Sequence, residues 1–232
     1  MVCVSVVDLQ LNLRKYVLSA KTIHGCWANG ASLILSQPVS VVSFYLAPWM
    51  KATTDLSRFN NSWYKPGNAF RRLFWYIIQA AFFRTAFPFS GIKVGLLRLF
   101  GASIGIDVVI KPHVKIKYPW KLKVGNHSWI GEEVWIDNLA DVVIGDHCCL
   151  SQGAFLLCGN HDYTKSTFDL IIGEIHLENG VWIGAKSIVC PGVTCHSHSV
   201  LAVNSVATKD MEGYSVYRGN PAVKIRERVL NS

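Results

Sequence analysis

An apolar residue recurs every six positions between residues 104 and 207. The recurring positions form five groups of three: Ile104, Ile110 and Ile116; Val124, Ile130 and Ile136; Ile144, Leu150 and Leu156; Leu177, Ile183 and Val189; Cys195, Leu201 and Ala207. Helices repeat every 3.6 residues and plain strands every two, so neither predicts a period of six. The pattern predicts a mainly β protein, a parallel β-helix with three hexads per triangular coil and the apolar residue pointing inward.

Three interruptions of the repeat predict a functional corner. The step between groups is eight residues after Ile116, eight after Ile136 and twenty-one after Leu156. Each long step follows the third hexad of a coil, so the three extensions are predicted to stack at one corner. They contain Trp120, then Asp137 and Asn138, then His161, Asp162 and Tyr163. Loops on one face of a solenoid commonly form its binding surface.

The positive charge of the chain is regional. The 232 residues carry 23 basic and 15 acidic side chains, a formal charge of +8. Residues 50–103 hold eight of these bases against one acid, whereas residues 104–206 have a net charge of −3. This distribution argues against a nucleic-acid partner. It predicts that residues 50–103 favour an anionic membrane surface or a lipid-diphosphate substrate.

Residues 50–103 predict two short helices. Leu73–Phe83 is an eleven-residue apolar run, too short to span a bilayer, and Pro88 follows it. It is apolar around most of its circumference, so we expect it to be covered on several sides. Ile92–Phe100 predicts a second helix that stops at Gly101. These helices either pack on the main domain or a neighbouring subunit, or rest on a membrane.

The expected organisation has four parts. Residues 1–49 read as a weakly ordered extension of unknown role, 50–103 as a helical segment, 104–212 as the β-helix and 213–232 as a C-terminal tail. The uncharged stretch from Thr22 to Met50 is broken by prolines and is a poor membrane span. Seven cysteines without a C-x-x-C pair indicate reduced thiols. We therefore expect a cytoplasmic protein, with peripheral contact at the inner face of the plasma membrane.

Several motifs outside the repeat resemble one enzyme family. They are Phe59-Asn60-Asn61-Ser62-Trp63-Tyr64-Lys65-Pro66-Gly67, Lys117-Tyr118-Pro119-Trp120, Trp135-Ile136-Asp137-Asn138-Leu139, Gly159-Asn160-His161-Asp162-Tyr163, Val181-Trp182-Ile183-Gly184-Ala185 and Gly219-Asn220-Pro221-Ala222. Together they resemble the left-handed β-helix acyltransferases, and more narrowly the colanic acid biosynthesis acetyltransferases, which are similar to the maltose and galactoside O-acetyltransferases. The resemblance covers about residues 55–228. It implies acetyl transfer from acetyl-CoA to a sugar hydroxyl of an exopolysaccharide precursor.

The resemblance assigns a catalytic base and an acceptor site. A sugar hydroxyl is a weak nucleophile and needs a general base, a task that suits histidine. His161 matches the catalytic histidine of the family. Asp137, Asn138, Asp162, Tyr163 and Trp120 are the predicted acceptor-binding residues. Asp137 stands where related enzymes carry an acceptor-positioning asparagine, and Asp162 is expected to secure the loop.

The resemblance also implies a donor site and an oligomer. The pantetheine arm of acetyl-CoA is expected in a groove between subunits, and its phosphates and adenine near the C-terminal tail, where basic side chains suit phosphate. The predicted pantetheine contacts are Trp182, Gly184, Ala185 and Val203. The predicted contacts with the phosphates and adenine are Thr208, Lys209, Asn220, Pro221 and Arg226. Backbone N–H groups near Ala185 are expected to stabilise the oxyanion. The family implies a homotrimer with active sites between subunits.

Other functions remain open from the sequence. N-acetylation of an amino sugar would use the same base. A zinc site would have to use His196-x-His198, away from the interrupted corner, so no metal is expected. A non-catalytic β-helix subunit would not need the His161 loop. Cys158 could act as a nucleophile, but no hydrolase motif surrounds it, and its apolar neighbours favour packing.

Overall fold

The hexads form a parallel β-helix in the computed structural model, which describes residues 52–231. The first sheet contains β1 (Ser103–Ile104), β4 (Leu122–Val124), β7 (Val142–Ile144), β12 (Ile175–Leu177) and β15 (Thr194–Cys195). The second contains β2 (Val109–Ile110), β5 (Trp129–Ile130), β8 (Cys149–Leu150), β13 (Trp182–Ile183), β16 (Val200–Leu201), β18 (Ser215–Gly219) and β19 (Ala222–Glu227). The third contains β3 (Lys115–Ile116), β6 (Trp135–Asp137), β9 (Phe155–Leu157), β14 (Ile188–Val189) and β17 (Val206–Ala207). The predicted mainly β, parallel β-helix architecture is confirmed.

The core consists of the predicted inward positions. All fifteen hexad residues from Ile104 to Ala207 are buried, with at most 8% of their surface exposed. Successive coils pair in register, so Ile116 lies beside Ile136 and Ile136 beside Leu156. Each coil therefore contributes one buried apolar side chain per sheet, and the stack excludes water along its axis.

Three corners join the sheets. The first corner, between the first and second sheets, contains residues 105–108 and their equivalents in later coils. The second corner, between the second and third sheets, contains residues 111–114, 131–134, 151–154, 184–187 and 202–205. The third corner, between the third sheet and the first, contains residues 117–121, 138–141, 158–174, 190–193 and 208–210.

The three extensions stack at the third corner, as predicted. Tyr118 and Asn138 are hydrogen-bonded across adjacent coils, and Leu139 packs beneath Gly159. The longest extension projects as a hairpin of β10 (Gly159–His161) and β11 (Leu170–Ile172), which pair antiparallel. The sequence interruptions therefore mark one continuous surface.

Two helices precede the β-helix. After a 3₁₀ turn (Leu56–Arg58), α1 (Ala69–Ile78) continues into a π-helical turn (Gln79–Phe83), and α2 (Ser90–Leu99) follows. A further 3₁₀ turn (Pro119–Lys121) lies within the third corner. The Asn68 side chain accepts hydrogen bonds from the first backbone N–H groups of α1, a standard N-cap. The predicted helices are thus present, and α2 ends before Gly101, whose φ is +89°.

One face of α1 packs on the β-helix and the opposite face is exposed. The Trp75 ring is buried, and its indole N–H donates to the Ile116 carbonyl at 2.7 Å. On the outer face, Phe70, Leu73, Phe74 and Ile77 are 54–73% exposed. We expected α1 to be packed on several sides. Among residues 52–231, only the face that carries Trp75 packs against the solenoid. No helix in this range is long and apolar enough to cross a membrane.

Part of the basic excess in this segment is structural. Lys93 is buried and donates to the Lys111 carbonyl at 2.8 Å, and Arg98 donates to the Ile104 and Gly105 carbonyls. Arg71 donates to the Phe100 carbonyl and lies over the Trp120 ring. These cations bind orphan carbonyls at the junction of helix and solenoid, so not all of the local charge is available to a partner.

The C-terminal segment forms two strands of the second sheet. The predicted extension at residues 1–49 lies outside the described residues. The expected C-terminal tail contains β18 and β19, an antiparallel pair that joins the second sheet through β16. This segment is therefore continuous with the solenoid rather than separate from it.

Candidate active site

His161 lies at the end of β10, where the hairpin leaves the third corner. Its ring stacks on the Phe168 ring, with centroids 4.5 Å apart and planes within 8°. The Phe59 ring also lies beside the imidazole, with ring centroids 5.6 Å apart and planes tilted by 55°. His161 is only partly buried, so one edge of the imidazole remains accessible.

A backbone carbonyl determines which nitrogen of His161 holds its proton. The Nδ1 atom lies 2.9 Å from the Phe168 carbonyl oxygen. A carbonyl can only accept a hydrogen bond, so Nδ1 carries the proton and donates it. The Nε2 atom of the neutral ring then holds a free lone pair. This is the state that a general base requires.

The loop between β10 and β11 holds that carbonyl in place. Phe168 has φ of +51°, a left-handed conformation that is costly for a bulky residue. Asp162 accepts hydrogen bonds from the backbone and hydroxyl of Thr164, which hold the pKa of its carboxyl below the usual value. The Asp162 N–H donates to Asp169, closing the loop. The hydrogen bonds of Asp162 thus stay within the loop, whereas Tyr163 is 83% exposed at its tip.

The two acceptor candidates below the hairpin differ in availability. Asn138 is fully buried, and its amide accepts from the Tyr118 N–H at 2.9 Å and donates to the Tyr118 carbonyl at 2.6 Å. Both ends of its side chain are thus used to hold the corner together. Asp137 forms an ion pair with Lys117 at 2.8 Å and is 9% exposed.

Trp120, another acceptor candidate, lies against the helical segment. Its ring contacts Tyr118 at 5.2 Å and lies beneath the Arg71 guanidinium at 4.5 Å. Gly67, with φ of +99°, lies so close to the ring that a Cβ would be 3.2 Å from the indole nitrogen. These contacts give Trp120 a packing role at the junction.

The segment before α1 also contacts the hairpin and the third corner. No role in the site was predicted from the sequence for this segment. The Asp55 N–H donates to the Ser166 carbonyl at 2.8 Å, which ties this segment to the His161 loop. The Tyr64 hydroxyl donates to the Leu139 carbonyl at 2.8 Å, and burial raises its pKa. Phe59 and Tyr64 both belong to the Phe59–Gly67 motif that carries the family resemblance. That motif could therefore have indicated a role for this segment near the site. No pattern in the sequence singled out the Phe168 carbonyl.

The predicted pantetheine contacts lie at and beside the second corner. Trp182 projects from the second sheet, 44% exposed, with its indole N–H donating to the Ser151 hydroxyl at 2.9 Å. Gly184 is buried and has no room for a Cβ, since the Val203 backbone nitrogen would lie 2.6 Å away. Ala185 and Val203 face outward at the turn, and Val203 is 61% exposed.

The remaining donor candidates lie farther along the solenoid. Thr208 and Lys209 are exposed at the third corner of the fifth coil. Asn220 and Pro221 form the exposed turn between β18 and β19, and Arg226 is exposed on β19. Within one subunit, His161 therefore lies at the third corner, whereas the predicted pantetheine contacts lie at and beside the second. A single copy of the chain does not bring the base and the pantetheine candidates together.

The alternative sites lack support among residues 52–231. This part of the chain contains no group of three or more His, Cys, Asp or Glu side chains placed to hold a metal ion. His196 is instead paired with Glu178 at 2.9 Å, and His198 packs on Tyr214. The Cys158 thiol is fully buried, and burial raises its pKa to about 12, which disfavours the nucleophilic thiolate.

Comparison with known proteins identifies the family. The scan against family models finds no match. A putative colanic acid biosynthesis acetyltransferase, WcaF, of Escherichia coli K12 is 39% identical over 177 residues, covering 75% of this chain and 97% of the relative. The chain belongs to this family. It is an acetyltransferase of the colanic acid biosynthesis group, as the sequence motifs predicted.

Solved structures agree with this assignment. A hexapeptide-repeat acetyltransferase from Vibrio cholerae, complexed with acetyl-CoA, has a TM-score of 0.56 and 26% identity, covering 59% of this chain and 76% of that one. A galactoside acetyltransferase complexed with coenzyme A has a TM-score of 0.62 and 24% identity, covering 68% and 80%; at that identity the likeness concerns the fold. The predicted co-substrate of this acetyltransferase family, acetyl-CoA, is thereby confirmed.

Proposed function

We propose that this acetyltransferase moves acetyl from acetyl-CoA to a hydroxyl of a sugar in a polysaccharide precursor, with His161 as general base. The observation that carries the proposal is the hydrogen bond from Nδ1 to the Phe168 carbonyl, which leaves Nε2 free to accept a proton. The polysaccharide context follows from the name of the colanic acid relative. A galactoside O-acetyltransferase of Escherichia coli, 27% identical over 138 residues, supports a sugar acceptor.

The reaction needs no covalent enzyme intermediate. Nε2 of His161 removes the proton of the acceptor hydroxyl while its oxygen attacks the thioester carbonyl. The tetrahedral oxyanion is stabilised by backbone N–H groups near Ala185. Its collapse breaks the carbon–sulfur bond and expels the CoA thiolate. The protonated imidazole then returns its proton to that thiolate, which restores the neutral base.

The active site is proposed to form between copies in a homotrimer. His161 lies at the third corner, whereas Trp182, Ala185 and Val203 lie at and beside the second. Packing the third corner of one copy against the second corner of the next would place base and thioester in the same groove. Lys209 and Arg226 then provide cations for the phosphates of CoA. Size-exclusion chromatography with light scattering tests the assembly, and a monomer that is fully active would contradict it.

An acetylation assay with paired histidine variants tests the mechanism. His161→Asn is expected to lower kcat by about 10²–10⁴-fold, the usual contribution of a general base. His147→Asn is the matched control, because His147 has φ of +55°, a conformation that asparagine tolerates. Acetyl transfer is measured as release of free CoA thiol across a panel of sugars and glycosyl diphosphates. Wild-type activity in His161→Asn would overturn the proposal.

N-acetylation of an amino sugar is the remaining alternative, because it would use the same base. Mild alkali distinguishes the products, since it removes an O-acetyl ester and leaves an N-acetyl amide intact. We expect an alkali-labile product. An alkali-stable product that forms only with amino sugars would replace the proposed acceptor with an amine.

Peripheral contact with an anionic membrane is proposed for the outer face of α1. This face presents Phe70, Leu73, Phe74 and Ile77, at the spacing of one helical stripe, to solvent. Arg72 is exposed on the same helix, and Asp55 is the one acid among residues 52–106, so the charge suits anionic lipid. Sedimentation with phosphatidylglycerol vesicles, against phosphatidylcholine vesicles, tests it. Phe74→Ser should abolish a preference for anionic vesicles; no preference in the wild type would refute the contact.

A further inference from the structure

The third sheet carries a cleft that no predicted site residue lines. It has a volume of about 560 Å³ and extends over the outer surface of β3, β6 and β9 and the neighbouring second corner. Its floor is formed by Trp135 and Phe155, whose rings stack with centroids 4.5 Å apart. Both residues immediately follow the second corner in their coils, so the cleft lies at the edge of the third sheet beside the corner that carries Ala185.

The walls of the cleft are predominantly basic. Lys115, Lys186 and Arg84 line it, with Glu133 as the one carboxylate among its lining residues. The Lys115 ammonium lies 5.4 Å from the Trp135 ring. Arg84 is positioned by the end of the helical segment, where its carbonyl contacts His113 Nδ1 at 3.2 Å. The solenoid has a net negative charge, so this concentration of cations differs from its surroundings.

The spacing of these residues shows that the repeat builds the cleft. Lys115, Trp135 and Phe155 are separated by one coil each and lie side by side in register on the sheet. A concave site with an apolar floor and a few convergent charged groups is the usual form of a small-molecule site. Three cations around one apolar floor suit a ligand that combines a ring with more than one phosphate charge.

We propose that this cleft binds the acceptor as a glycosyl diphosphate, with the diphosphate held by Lys115, Lys186 and Arg84 and the attached group lying on Trp135 and Phe155. This rests on the proposed sugar acetylation and specifies its substrate class. The cleft is distinct from the proposed site for the CoA phosphates, because neither Lys209 nor Arg226 lines it.

Calorimetric titration of the full chain, saturated with CoA, tests the proposal. The probes are UDP-glucose, farnesyl-diphosphoryl-glucose and neutral methyl glucoside, so that nucleotide and lipid carriers of the same diphosphate are compared. Either diphosphate should bind at least about tenfold more tightly than methyl glucoside, as expected for charge-assisted hydrogen bonds. Equal affinity for all three probes, or diphosphate binding that occurs only when CoA is left out, would overturn the proposal.

Matched lysine variants locate the binding. Lys115→Gln should weaken diphosphate binding by about tenfold, and Lys115→Arg should retain it because the charge remains. Lys123→Gln is the control, because Lys123 is an exposed lysine on the first sheet, outside the cleft. Thermal unfolding confirms that each variant is folded. Equal losses in Lys115→Gln and Lys123→Gln would refute the assigned location.

One further variant separates the two proposals. His161→Asn should bind the glycosyl diphosphates as the wild type does, although it should acetylate them about 10²–10⁴-fold more slowly. If the diphosphates bind but the wild type acetylates no sugar, the proposed function fails and the cleft stands as a binding site. If the wild type acetylates methyl glucoside as efficiently as the diphosphates, the cleft proposal fails and the proposed function stands.

Discussion

Gly159 is the position where a single methyl group would test the link between the solenoid and the His161 hairpin. It begins β10, two residues before His161, and lies directly on the Leu139 side chain. A Cβ at this position would be 2.2 Å from Leu139 Cδ1 and 3.5 Å from Cγ. Leu139 itself packs against the core, so turning its side chain away would disturb that packing.

The distance of 2.2 Å sets the displacement that a Cβ at Gly159 would force on its neighbours. Carbon atoms in contact are separated by about 3.5–4.0 Å, so Gly159→Ala requires a relative displacement of about 1.3 Å or more. If the hairpin moves, His161 moves with it, and a misplacement of about 1 Å can cost about 10²-fold in rate. The strain should also lower the free energy of unfolding by about 1–3 kcal/mol. We therefore expect a large fall in kcat and a modest loss of stability.

Steady-state acetyl transfer and urea unfolding measure the two effects. Gly95→Ala is the matched control, because a Cβ there meets nothing within 4 Å; replacing this glycine in α2 should stabilise the protein by about 0.5–1 kcal/mol and leave kcat unchanged. Leu139→Ala in the Gly159→Ala background removes the clash and should restore most of the activity. Wild-type kcat in Gly159→Ala, or no recovery in the double variant, would refute the reasoning.

Three other outcomes are expected. Cys158→Ala should keep its kcat, because the thiol is buried with its pKa raised to about 12; loss of activity without loss of fold would revive a nucleophilic role. Trp75→Phe should lose about 1–3 kcal/mol in urea unfolding, since the Ile116 carbonyl loses its indole donor; an unchanged midpoint would contradict this. Burial lowers the pKa of Lys93, so the unfolded chain binds more protons and stability should rise with pH up to about 10.5; Lys93→Met should flatten that rise.

The fold could be predicted from the sequence because its repeat is local and regular. A period of six assigns every inward position of the solenoid, and each of those fifteen residues is buried. The three long steps likewise located the third corner and the extension that contains His161, because extensions after the same hexad of successive coils must stack. Charge counting found the basic segment, but it did not show that Lys93, Arg98 and Arg71 bind backbone carbonyls within it.

The roles of individual site residues required the structure. Asn138 was among the predicted acceptor-binding residues, and in the structure both ends of its amide bind the Tyr118 backbone. The sequence predicted cover around α1, whereas its stripe of Phe70 to Ile77 faces outward. In each case the deciding contact is with a residue at least twenty positions away or with solvent, and no short-range pattern reports such contacts.

The sequence alone therefore determined the solenoid, the corner that carries the hairpin and the family to which the chain belongs. It identified His161 by resemblance, but not the tautomer of its ring. Only the tertiary structure decided that, through the Phe168 carbonyl, which a left-handed backbone conformation turns toward Nδ1. The cleft on the third sheet was equally hidden, because Lys115, Trp135 and Phe155 become neighbours only when three successive coils stack in register.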